Sequence, residues 1–178
     1  MEIRLAKAEE TDEIMVVYRK AREFMVESGN PKQWAEGYPG RELIEEDISR
    51  GVSFVCCENG KVHGVFAFVI GADPTYAVIR DGAWLNDETY GTVHRIAGDG
   101  ESRGMMERVF PFCQERIGSL RGDTHEDNKK MQHLFVKNGF KRCGIIIGHD
   151  GTPRIAYQLV PAGDQPKSAW NQSVLDRK

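Results

Sequence analysis

Residues 121–140 read RGDTHEDNKKMQHLFVKNGF. Their first four residues close a short strand, SLRGDT at 119–124. Asp127 or its neighbours can cap the helix that follows, because a short polar side chain satisfies the unpaired N–H groups of a first turn. Acidic residues also suit that end of the helix dipole. Met131, Leu134, Phe135 and Val136 supply its apolar face, and Asn138-Gly139 ends it. Upstream, YGTVHRIA (90–97) reads as a strand running through the glycine-rich GDGESRG into a helix from about Arg103 to Ile117. Val109, Phe112, Cys113 and Ile117 form the stripe of that helix, and Pro111 inside it should kink it. Downstream, FKRCGIIIG and PRIAYQLV make a hairpin around His149-Asp150-Gly151.

The N-terminal half completes the pattern. MEIRLAK alternates as a strand, and Thr11 or Asp12 can cap a helix with Ile14, Val17, Tyr18, Ala21, Phe24 and Met25 on one face. Gly29-Asn30-Pro31 stops it. The loop PKQWAEGYPG leads to RELIEEDISRG, a short helix with Leu43, Ile44 and Ile48. VSFVCCE and KVHGVFAFVIG pair across Asn59-Gly60, a dipeptide made for a tight hairpin turn. Residues 73–89 are a longer irregular link with Pro74, Tyr76 and Trp84. The order β-α-α-β-β-β-α-β-α-β-β predicts an α/β domain, a mixed sheet covered by helices on both faces, over residues 1–160. Residues 161–178 lose periodicity and read as a C-terminal tail.

Composition narrows the function. The chain has 178 residues, 24 Lys and Arg against 27 Asp and Glu, and no contiguous basic block, which argues against nucleic acid as a partner. No apolar run approaches the roughly 18 residues of a membrane span, and MEIRLAKAEE is unlike a signal peptide. A cytoplasmic protein is expected. Cys56, Cys57, Cys113 and Cys143 show no metal-ligand spacing and read as small hydrophobes in a reducing compartment. Asp123, His125, Glu126 and Asp127 can be read as metal ligands or as helix-capping groups. Without a matching second cluster the capping reading is preferred, and no metal is expected.

The ordered set HRIA, a loop ending in Arg103-Gly104, a helix, DTHEDNKKMQ…KNGF, CGIII and PRIAYQ resembles the GNAT superfamily of N-acetyltransferases, especially a bacterial branch with a DTHxDNxxMQ…NGF segment. The resemblance spans essentially residues 1–160. It implies a mixed, mostly antiparallel central sheet flanked by helices, and acetyl-CoA as co-substrate. By the same resemblance the strand Tyr90–Ala97 pairs with the pantetheine arm, with Ile96, Ala97 and Gly98 nearest to it. The following loop and helix start, Arg103, Gly104, Met105 and Met106, would hold the pyrophosphate, a role suited to unpaired N–H groups at the positive end of a helix dipole. Asn128 would lie beside the pantetheine. Three positions depart from the family pattern: Met106 and Arg108 stand where small residues are usual, and Phe135 where many members carry a tyrosine acid.

Acyl transfer to an amine needs a base near neutral pKa and a donor for the thioester carbonyl. His94 is the candidate base, its alternative role being a hydrogen-bonded sheet histidine. Tyr90 or Tyr157 is a candidate acid in place of Phe135. Trp34, Tyr38 and Trp84 are candidate walls of an acceptor pocket, although Trp34 can equally be a lid on the core. The expected acceptor is a small-molecule amine. The alternative is a catalytically weak acyl-CoA-binding sensor or interaction domain of the same fold, and a homodimer is plausible by family analogy.

Overall fold

Asn59 and Gly60 take left-handed φ angles of 52° and 78°, the pair of values a two-residue turn needs. They close a hairpin of β2 (Ser53–Glu58) on β3 (Lys61–Ile70). The computed structural model describes residues 1–34, 36–161 and 163. Its remaining elements are β1 (Glu2–Leu5), α1 (Thr11–Glu27), α2 (Arg41–Ser49), β4 (Tyr90–Gly98), α3 (Met106–Gln114), β5 (Ser119–Thr124), α4 (Lys129–Lys137), β6 (Lys141–Ile147) and β7 (Pro153–Leu159). This is the element order expected from the sequence. The tail expected at 161–178 lies almost wholly outside the described residues.

One sheet of seven strands results, in the order β1-β2-β3-β4-β5-β7-β6. Every pair is antiparallel except β4 with β5. Strand alternation divides the core between the two faces. Cys56, Phe66 and Phe68 pack with Val109, Phe110 and Cys113 of α3 and Met131 and Phe135 of α4. The neighbouring Cys57, Val55 and Val65 pack with Ile14, Val17, Tyr18 and Ala21 of α1 and Ile44 of α2. A smaller cluster of Tyr76, Tyr90, Ile146 and Ala156 lies under the link before β4. All four cysteines are buried and free, and burial pushes the Cys56 and Cys113 thiols up to about 12.

Several local expectations change. Neither Thr11 nor Asp12 caps α1. A 3₁₀ turn, Ala8–Glu10, runs directly into the helix, Thr11 is its buried first residue, and the Thr11 hydroxyl donates to the Ala8 carbonyl at 2.8 Å. Asp12 instead pairs with Arg41 of α2. The third helix is shorter than expected at both ends and continues through Pro111 to Gln114, with Phe110 in the core and Phe112 only partly buried. Asn128 caps α4, its side-chain oxygen accepting from the Met131 N–H at 3.1 Å. Phe24 and Val136, expected on core faces, are 45% and 62% exposed. Phe24 stands at the margin of the α1 stripe, and Val136 on the side of α4 away from the buried Met131 and Phe135.

Candidate active site

The site begins where the sheet opens. β4 and β5 pair only at Tyr90↔Ser119, Gly91↔Leu120 and Thr92↔Arg121. Beyond Thr92, β4 stays with β3 and β5 with β7, so one backbone edge of His94–Gly98 is left free. A bulge sharpens the divergence. Between His94 and Ala97, β4 carries one residue more than β3 does between Ala67 and Val65, and Arg95 adopts φ 51°. Bulges of this kind bend a strand and redirect its side chains. Here the Arg95 guanidinium reaches Asp47 of α2 through Nε at 3.0 Å and Nη2 at 2.6 Å. Burial pulls the Arg95 pKa down, but the Asp47 carboxylate beside it prevails and holds it above the ordinary value.

A cleft of ≈530 Å³ lies against that edge, and Ile96, Ala97, Gly98, Arg103, Gly104, Met105, Met106 and Asn128 all line it. Gly104, at φ 72°, turns the chain into α3. The backbone N–H groups of Arg103, Gly104, Met105 and Met106 find no acceptor among the described residues. Bulk at Met105 is accommodated by two glycines. A Cβ on Gly64 would lie 2.1 Å from the Met105 sulfur, and one on Gly98 would lie 3.3 Å from its methyl. Met106 lines the cleft and Arg108 does not. The exposed Phe24 belongs to this wall too, with the Lys130 ammonium 4.2 Å from its ring centre. The loop is pinned by Glu101, held by Lys20 at 2.7 Å and Lys61 at 2.6 Å, and by Asp99, which accepts from the Glu101 N–H and contacts His63 Nδ1 at 3.0 Å. A free strand edge, unpaired N–H groups at a helix start and the cations Arg103 and Lys130 together suit a pantetheine arm ending in a pyrophosphate.

A second cavity of ≈160 Å³ adjoins the first, and Met25, Ile96, Asn128 and Met131 line both. Trp34, Tyr38, His94, Asp123 and Phe135 are on its wall. His94 Nε2 lies 2.9 Å from Asp73 Oδ2, while Asp73 Oδ1 accepts from the Thr75 N–H at 2.8 Å and the Thr75 hydroxyl at 2.6 Å. Burial alone would raise the Asp73 pKa, but His94 and the Thr75 donors outweigh it and hold the carboxyl well below the ordinary aspartate range.

Three of the residues expected here are elsewhere. Tyr90 lines neither cavity; its hydroxyl accepts from the Asp73 N–H at 2.9 Å, so it supports the partner of His94. Trp84 also lines neither. Its indole N–H donates to the Tyr76 carbonyl at 3.0 Å, and its ring packs on Tyr76 and under the Arg121 guanidinium. Tyr157 is buried against Phe135, ring centres 4.8 Å apart, and is likewise off both walls. Trp34 combines its two readings, edge-on to the core residue Tyr18 and facing the cavity.

Two side chains of the DTHEDN segment serve the start of α4. His125 Nδ1 accepts from the Asp127 N–H at 3.2 Å, and Asn128 caps α4. Gln33 joins this junction from the loop after α1. Its side-chain oxygen accepts from the Thr124 hydroxyl, the His125 N–H and the Asn128 amide at 3.0, 2.9 and 3.1 Å. A glutamine in a polar loop carries no sequence signal for such a role.

The chain is 36% identical to a GNAT-family acetyltransferase of Streptococcus agalactiae, over 90% of this chain and 95% of that one, with a TM-score of 0.82. It belongs to the GNAT family. As a GNAT acetyltransferase it is an acetyl-CoA-dependent acyltransferase, on the mixed, mostly antiparallel sheet that the resemblance implied. It is also 26% identical to a putative acetyltransferase of Staphylococcus aureus, over 90% and 99% of the two chains, with a TM-score of 0.65. The ribosomal-protein-S18-alanine N-acetyltransferase of Escherichia coli, at 16% identity over 89% and 92% of the chains and a TM-score of 0.58, shares the GNAT fold alone. No protein-family model and no curated protein matches the chain. No helix among the described residues is long and apolar enough to cross a membrane.

Proposed function

We propose that the enzyme transfers an acetyl group from acetyl-CoA to the primary amine of a small acceptor, with Ile96, Ala97, Gly98, Arg103, Gly104, Met105, Met106 and Asn128 holding the coenzyme. The observation that carries this reading is the shared wall of the two cavities at Ile96, Asn128 and Met131. The thioester supplies an activated acyl group at that seam, within reach of whatever occupies the smaller cavity. The free N–H groups of β4 past Thr92 are the donors available to its carbonyl. A cavity of ≈160 Å³ has the volume of about five water molecules, which suits a short amine rather than a folded partner.

His94 is the base in this reading. An acceptor amine arrives largely protonated and must lose a proton before it attacks. The Asp73 carboxylate requires a proton on His94 Nε2, which leaves Nδ1 as the lone pair able to take it. The same logic orients the imidazole of hydrolytic triads. The leaving thiolate has Tyr38, the tyrosine that lines the acceptor cavity, or solvent as its proton source. Phe135 at the usual acid position, with Tyr90 and Tyr157 away from the walls, favours the second reading, a coenzyme-binding protein with little turnover.

Thermal unfolding with increasing acetyl-CoA, followed by assay of free CoA thiol with a panel of small amines, tests the proposal. At a hundred times its dissociation constant acetyl-CoA should stabilise the fold by about 2.7 kcal/mol, and an amine should accelerate thiol release. No saturable shift would overturn the coenzyme assignment. A shift without amine-dependent release would leave the sensor reading.

A further inference from the structure

We propose that the acceptor enters as a cationic primary amine without a carboxylate of its own, and that Asp123 holds its ammonium group. The inference rests on the acyl-transfer reading above and adds the chemical class of the acceptor. Asp123 sits on β5 past the point where β5 leaves β4, and its side chain is on the wall of the ≈160 Å³ cavity. Its Oδ2 accepts from the buried Tyr76 hydroxyl at 2.8 Å. Among the described residues no Lys, Arg or His forms an ion pair with it.

The other charged groups of that wall close on one another. Arg154 pairs with Asp150 and donates to the Gln33 carbonyl at 3.0 Å. Arg95 pairs with Asp47, and His94 with Asp73. His149, on the turn between β6 and β7, and Tyr38 are the remaining titratable groups on the wall. Both guanidiniums are therefore compensated, and Asp123 is left with one phenolic donor for a carboxylate that can accept about four hydrogen bonds. Asp123 is half-buried, and a carboxylate short of protein partners on a cavity wall is stabilised by a cation that brings N–H donors with it. Trp34 and Tyr38, ring centres 6.1 Å apart, add aromatic surface to the same wall, and aromatic faces attract ammonium groups. An amino acid would bring a carboxylate with no free guanidinium to receive it.

The test uses n-butylamine, its neutral counterpart 1-butanol, and β-alanine, compared at constant ionic strength by thermal unfolding of wild type and Asp123→Asn. Asparagine keeps an oxygen for Tyr76. Butylamine should raise the wild-type melting temperature saturably at millimolar concentration, and butanol and β-alanine should not. In Asp123→Asn the half-saturating amine concentration should rise about tenfold or more, while the stabilisation by acetyl-CoA persists. Equal responses to butylamine and β-alanine in wild type would overturn the proposal without recourse to any variant. An unweakened amine response in Asp123→Asn would do the same. Loss of the acetyl-CoA response in wild type would instead remove the transfer reading beneath it.

Discussion

Three donors converge on the Asp73 carboxylate, one from His94 and two from Thr75. His94 is recognisable in the sequence because a histidine on a coenzyme-facing strand is chemically conspicuous. Its partner is not, because Asp73 lies 21 residues away in an irregular link. The lowered pKa of Asp73 sets a sign for acid stability. A carboxyl whose folded pKa lies below its unfolded value stabilises the fold above the ordinary value, 3.8 here, and loses that contribution as pH falls through the lower folded value. Asp73→Asn should therefore cost about 1–3 kcal/mol at neutral pH. The gap to wild type should shrink as pH falls below the ordinary aspartate value, as urea unfolding at a series of pH values will show. A gap independent of pH would mean the carboxylate charge contributes nothing.

The elements around the cleft fit through their smallest residues. Gly64 of β3 and Gly98 of β4 face each other in the register, and the Met105 side chain fills the space they leave. A methyl group at position 64 would meet the Met105 sulfur at 2.1 Å and the Ala97 carbonyl and Cys56 Cβ at 3.3 Å. Overpacking costs about 1–3 kcal/mol, and the flexibility of methionine puts Gly64→Ala at the lower end. The displaced Met105 must move toward the cleft, so Gly64→Ala should bind acetyl-CoA more weakly, and Gly64→Ala with Met105→Ala should recover the affinity. Titration calorimetry of both variants decides it, and equal affinity in Gly64→Ala and wild type would place the Met105 side chain outside the coenzyme's path. Nothing in the strand pattern of Lys61–Ile70 marks this contact. The element itself is legible from its apolar run and its Asn59-Gly60 turn.

Across the whole molecule, Gln33 joins the loop after α1 to the β5–α4 junction, binding residues 91, 92 and 95 positions further on. Thr124 is fully buried and His125 nearly so, so Gln33→Ala leaves their donors without acceptors. Such groups cost about 1–3 kcal/mol, which should appear as a lower urea midpoint, together with a weaker amine response in the cavity that the loop closes. An unchanged midpoint would mean that water replaces the amide at no cost. The order of the elements, the two-faced core, the hairpin at Asn59-Gly60 and the glycine-rich turn into α3 were all determined by the sequence itself. Each follows from residues within one turn or one strand repeat of each other, where periodicity and backbone freedom act directly. Tyr90 and Trp84 look in the sequence like Tyr38 and Trp34, and only packing separates the pair that supports Asp73 and Arg121 from the pair that lines the cavity. The parting of β4 from β5, the Arg95–Asp47 pair and the hydrogen bond of Asp123 to Tyr76 were likewise decided only by the tertiary structure, because a carboxylate's partners depend on which distant segments the sheet brings beside it.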